Sequence, residues 1–224
     1  MTVSNPVNLD FQTPTAPPNI ELSDLSHQIE ETWTALRSPS YAVVAVKSAA
    51  LKESKCPRWR TSGEYGADWG SAIHALLEIK MNQPDVQLNS LARQYAQQFD
   101  LGTERVDELM ATVNSVVSSD IWARSERGSK LYTEIPFESF SEETNSTPLP
   151  TITRGVIDLC FDESDGWVIV DYKTDDLTET DLGKAVDFYA PQLKTYAEFW
   201  QNVTNMPVAE IGLYFTKLNH YQIC

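Results

Sequence analysis

Two acids and an ammonium stand out in the C-terminal half of the sequence. Asp171 and Lys173 lie two apart in Val170-Asp171-Tyr172-Lys173-Thr174, and residues two apart on a strand share a face. Asp158, in Gly155-Val156-Ile157-Asp158-Leu159, belongs to the preceding apolar run, and a turn at Asp165-Gly166 would bring it beside Asp171. Two carboxylates among Val and Ile are costly to bury unless a cation compensates them. A hard divalent ion, Mg²⁺ or Mn²⁺, suits such oxygen ligands, and the Tyr172 carbonyl would add another. Such an ion polarises a phosphoryl oxygen and lowers the pKa of an attacking water. Lys173 would then meet the developing negative charge. Taken alone, a D-x-K pair on a strand is common, and Asp158 reads equally as a strand-end acid.

Three further features precede or follow this pair. His74 lies on a helical stretch, Trp69-Gly70-Ser71-Ala72-Ile73-His74, where Gly70 one turn earlier permits another backbone to come close. A lone helical histidine is more often structural than a ligand. Gln192 and Tyr196 are spaced i, i+4, so both project from one helix face. Glu134, in Glu134-Ile135-Pro136-Phe137, is a further acid whose role the sequence leaves open.

The elements that must position these groups can be read from periodicity. Residues 1–20 are rich in Pro, Thr and Asn and read as a flexible leader. Leu25, Ile29, Trp33 and Leu36 then recur at helical spacing until Ser38-Pro39-Ser40. Tyr41 to Val46 reads as a short buried apolar segment, and Ser48 as the cap of a short helix. Helices are expected after Asp68, around Leu88 to Phe99, and around Val106 to Val117 with Thr103 as N-cap. From Lys130 the character changes. Strands are expected over 131–137, with Pro136 marking an edge or an end, over 152–161, and over 167–173. A helix from about Glu179 to Asn202, interrupted or kinked near Pro191, leads to a last strand over 208–217. The result is an α/β (α+β) layout: a β-β-β-α-β mixed sheet preceded by several helices, its last strand joined by a crossover.

Composition bounds the alternatives. The chain has 224 residues and a formal net charge of −15, awkward for a nucleic-acid binder. The charge reverses locally: Lys47, Lys52, Lys55, Arg58 and Arg60 face a single Glu53, with Trp59 among them. That stretch, 47–60, is either a stripe that tracks a single strand or a solvated loop. Cys56, Cys160 and Cys224 lie far apart without CxxC spacing, which argues against disulfides, zinc or an iron–sulfur cluster. No apolar run approaches a membrane span and the N-terminus lacks a secretory pattern, so a cytoplasmic protein is expected. No GxxxxGK[ST] loop is present, so no nucleotide-driven motor is evident in this chain.

The order of the motifs is more specific than any one of them. Gly70-Ser71-Ala72-Ile73-His74, Glu134-Ile135-Pro136-Phe137, Gly155-Val156-Ile157-Asp158, Asp171-Tyr172-Lys173-Thr174 and Gln192-Leu193-x-x-Tyr196-Ala197 resemble the ordered motifs of the RecB-family nuclease domain within the PD-(D/E)XK superfamily. The likeness is greatest to the C-terminal nuclease domain of AddA-type helicase–nuclease proteins and covers roughly residues 40–218. It implies a restriction-endonuclease-like core over 41–224, after a leader and one helix over 1–40. It also implies that His74, Asp158, Asp171 and the Tyr172 carbonyl hold Mg²⁺ or Mn²⁺, that Lys173 orients or activates water, and that Gln192 and Tyr196 support the site and contact DNA. The expected activity is exonucleolytic hydrolysis of single-stranded DNA in double-strand-break repair, beside a superfamily 1 helicase motor that this chain lacks. The alternatives are a catalytically silent nuclease-fold module that binds DNA, and a purely structural α+β domain.

Overall fold

Strand β4 (Gly166–Lys173) is buried at every position, as expected of an interior strand covered on both faces. Its neighbours explain why. In a computed structural model of the protein, which describes residues 22–37, 39, 41–46, 66–142 and 149–224, six strands form one mixed sheet. Strands β2 (Leu131–Ser141), β3 (Thr151–Glu163) and β4 make an antiparallel meander. Helix α6 (Leu182–Thr204) then crosses over to β5 (Val208–Phe215), which pairs parallel with β4. The expected β-β-β-α-β core is therefore present, and the fold is restriction-endonuclease-like. The leader, Ser48, the basic stretch 47–60 and Cys56 lie outside the described residues.

Alternation along β4 separates two cores. Val168, Val170 and Tyr172 pack with α2 (Ala67–Asn82), α3 (Asn89–Gln98), α4 (Val106–Val117) and α5 (Asp120–Ser125). Trp167 and Ile169 face Tyr196 and Trp200 of α6. Each large side chain buried in these layers contributes about 1.5–3 kcal/mol.

Several local expectations change in the folded chain. The segment after Tyr41 is a strand, β1 (Ala42–Ala45), half exposed and parallel to the start of β3; pairing with a segment a hundred residues away cannot be read locally. Within it and the next residue only Val46 is buried. Thr103 opens a 3-10 turn, Thr103–Arg105, and makes no side-chain cap. Helix α5 was not expected; Ser119 caps it by accepting the Trp122 N–H at 3.4 Å. Strand β2 continues past Pro136 to Ser141. It pairs with β3 alone among the described strands, so Pro136 sits on an edge where its missing N–H costs little. Pro191 lies inside an uninterrupted α6. A sixth strand, β6 (His220–Ile223), turns back antiparallel on β5.

The chain divides into two units, residues 1–40 and 41–224. Of the first, helix α1 (Leu22–Arg37) is described, and Leu25, Ile29 and Trp33 along it are exposed. No described helix is long and apolar enough to cross a membrane.

Candidate metal centre

The edge of β3 opposite β2 is shared. β1 pairs with it over 151–154 and β4 over 159–163, and the four residues between, Gly155 to Asp158, are left without a strand partner on that side. This fork opens beside Asp171. The Asp158 carboxylate takes over where the ladder stops: its Oδ2 accepts the Tyr172 backbone N–H at 2.8 Å. A buried N–H that would otherwise be orphaned is satisfied.

Both strands also change face here. Tyr132 touches Trp200 on the α6 side, and Thr133 accepts from Asn82 on the α2 side at 3.0 Å. Ile135 is back on the α6 side, so alternation breaks at Glu134, whose φ is +48°. Opposite it, Ile157 faces α6 and Leu159 faces α2, so β3 breaks at Asp158. The paired bulges turn Glu134 and Asp158 toward His74, which projects from α2. His74 Nδ1 lies 3.1 Å from Glu134 Oε1 and 3.6 Å from Asp158 Oδ1. One ligand atom from each of the three lies within 4.8 Å of the others.

Asp171 and Lys173 face α6 together. Their carboxylate and ammonium form an ion pair. Gln192 binds both: its Nε2 donates to Asp171 Oδ1 at 2.9 Å, and its Oε1 accepts from Lys173 at 3.0 Å. The same Nε2 contacts the Tyr196 hydroxyl. All four side chains are buried. The predicted residues thus come together in two adjoining groups, His74 with Asp158, and Asp171 with Lys173, Gln192 and Tyr196. Tyr172 joins them by its N–H and by its ring, which meets His74 edge-on at 5.9 Å.

Two residues escaped the sequence reading. The Tyr189 ring lies 4.2 Å from the Lys173 ammonium, and its hydroxyl donates to Asp175 at 2.7 Å. Its position three before Gln192, on the same helix face, was the available signal. The approach that Gly70 permits is by a side chain: a Cβ there would stand 2.8 Å from Thr174 Oγ1.

The electrostatics fit a cation. Burial opposes charge on His74, but Asp158 and Glu134 beside it outweigh that and raise its pKa. Burial raises Glu78, with Glu134 adding to it. Asp171 Oδ2 is buried and accepts no hydrogen bond. Buried carboxylates thus outnumber the ammonium that answers them, and an oxygen-rich, one-imidazole donor set suits a hard divalent ion. A cleft of about 600 Å³, with His74, Glu134, Lys173 and Gln192 among its walls, gives access.

A mixed sheet forked around buried acids, with an imidazole and a lysine at the fork, defines a nuclease-type metal site on a restriction-endonuclease-like scaffold. The family model of the PD-(D/E)XK nuclease superfamily matches residues 47–222, and the chain belongs to that superfamily. Its similar relatives are all named as the A-type subunits of ATP-dependent helicase/nucleases. That of Bacillus mycoides is 26% identical over 220 residues, covering 87% of this chain and 18% of the relative. That of Alkaliphilus metalliredigens is 31% identical over 164 residues, covering 66% and 13%. That of Carboxydothermus hydrogenoformans is 36% identical over 110 residues, covering 46% and 9%. The chain therefore spans less than a fifth of these relatives. Among solved structures, the crystal structure of SSO0001 overlays with a TM-score of 0.34 at 11% identity, over 89% of this chain and 73% of that one.

Proposed function

We propose that this chain is a Mg²⁺- or Mn²⁺-dependent deoxyribonuclease domain that acts as an exonuclease on single-stranded DNA. In this reading it works in the cytoplasm beside a superfamily 1 helicase motor, fused or separate, in double-strand-break repair and recombination. One observation carries it: a single amide, Gln192, ties Asp171, Lys173 and Tyr196 together next to His74, Glu134 and Asp158. The relatives' names, which join a helicase to a nuclease, support the DNA substrate and the motor partner.

His74, Asp158, Asp171 and the Tyr172 carbonyl would hold the ion, with Glu134 as a further ligand. When bound, the cation supplies Lewis acidity toward the phosphoryl oxygen and acidifies water. Lys173 holds its positive charge where negative charge grows in the transition state, and does so in a buried site where the effect is strengthened. Gln192 sets the orientation of both the Asp171 carboxylate and the Lys173 ammonium. Tyr196 backs Gln192 from the next turn of α6.

The test uses purified protein with linear single-stranded DNA and Mg²⁺ or Mn²⁺, beside Asp171→Ala. Degradation by the native protein and none by the variant is expected. Cleavage that survives the substitution removes the assigned site. DNA binding by both proteins without cleavage by either assigns the silent module instead.

A further inference from the structure

On the α6 side of the fork lies a second cavity, of about 610 Å³, bounded by Ala45 of β1, Phe137 of β2, Gly155 and Val156 of β3, and Tyr196 of α6. Its floor is aromatic. Gly155 permits this: a Cβ there would stand 2.5 Å from the Phe137 ring and 3.0 Å from Tyr196. At the rim Arg154 pairs with Glu138 at 2.7 Å, both more than half exposed, and an ion pair so exposed holds the guanidinium loosely.

We propose that this cavity holds a nucleobase of the DNA strand, one flanking the phosphate at Lys173. The proposal rests on the nuclease reading of the site and adds a subsite to it. Two observations favour a base. First, the cavity adjoins the catalytic groups through one side chain: Tyr196 walls it with its ring and meets Gln192 with its hydroxyl. A strand with one phosphate at Lys173 therefore brings a neighbouring base within reach. Second, the chemistry divides as a nucleotide does. The interior is apolar, while Arg154 stands at the mouth for a phosphate, and in sequence the cationic run 47–60 begins two residues after Ala45 in a chain of net charge −15. Apolar and aromatic walls hold bases of any sequence, because every base presents a flat π-face. The pocket thus supplies grip on a single strand without sequence readout.

The experiment compares two 5′-fluorescein-labelled single strands of equal length, oligodeoxythymidylate and its abasic counterpart. Binding is read by anisotropy with Ca²⁺ as the divalent ion. The full chain is tested beside Ala45→Trp, which fills the cavity from an exposed position, and Val156→Phe, which fills it from the floor strand. The native protein should prefer the base-bearing strand by about tenfold, and either filled variant should lose that preference while binding the abasic strand as before. Equal binding of both strands by the native protein, binding of neither, or a preference that persists in both variants overturns the proposal. Equal binding together with a dimer that Ala45→Trp dissociates overturns it in favour of a second copy of this chain. Cleavage is scored separately with Mg²⁺. Base preference without cleavage removes the hydrolytic reading and keeps the pocket, whereas cleavage indifferent to bases does the reverse.

Discussion

Glu134 and Asp158 stand opposite each other on β2 and β3, at the position where both strands exchange the faces their side chains cover. Register is the same on either side, with Thr133 opposite Leu159 and Ile135 opposite Ile157. Each strand therefore carries one residue out of alternation at the same level. The exchange delivers two carboxylates to His74, sixty residues before Glu134.

Divalent metal should raise the melting temperature of the native protein by several degrees. Saturating a site at about a hundred times its Kd stabilises the folded state by about 2.7 kcal/mol, and a domain of this size gains about 2–4 °C per kcal/mol. Asp158→Ala should lose the shift and Glu134→Gln should reduce it. Differential scanning calorimetry with and without Mn²⁺ reads the difference within each protein, which removes any cost of the substitution itself. Equal shifts in all three proteins would discard the ligand assignment.

Gln192→Leu should cut cleavage by about a hundredfold, because a displaced Asp171 or Lys173 misplaces the reacting groups. It should also cost about 1–3 kcal/mol, since Asp171 Oδ1 and the Tyr196 hydroxyl lose a buried partner. Single-turnover cleavage and urea titration measure the two effects. A stable, fully active variant contradicts the positioning role.

Gly155→Ala should destabilise the protein by about 1–3 kcal/mol through overpacking. The added carbon would sit 2.5 Å from the Phe137 ring, which stacks on Phe199 at 4.1 Å and cannot retreat freely. Thermal denaturation of the variant checks this, and an unchanged melting temperature would show that the ring can move.

Arg124 on α5 forks to Glu163 at the end of β3, at 3.0 and 2.9 Å, and to Glu210 on β5, at 2.9 and 3.2 Å. Arg124→Ala should cost about 1 kcal/mol, a modest figure because Glu163 is partly exposed and screened. Hydrogen bonding to Arg124 holds the Glu163 carboxyl below its ordinary 4.5. A depressed carboxyl stabilises the fold fully above that value and stops doing so as pH falls through its folded value. Urea melts should therefore show the gap between native and variant narrowing below about pH 4.5. A gap that stays constant into acid refutes this.

The sequence alone determined what depends on spacing within one element. Asp171 and Lys173 share a face because strands repeat every two residues, Gln192 and Tyr196 because helices repeat nearly every four, and the hairpin with its crossover follows from the turn at Asp165-Gly166 and the helix behind it. Tyr189 obeyed the same rule, three before Gln192, but nothing local marked its ring as the neighbour of an ammonium. Tertiary structure decided the remainder. That β1 pairs with β3 at Thr151, leaving a fork at 155–158, depends on segments a hundred residues apart. That Glu134 joins His74 and Asp158 depends on a break in alternation, which period-two reasoning excludes by construction. Local periodicity is written into neighbouring residues, whereas register and bulges are settled by which packed arrangement of the whole sheet is lowest in free energy.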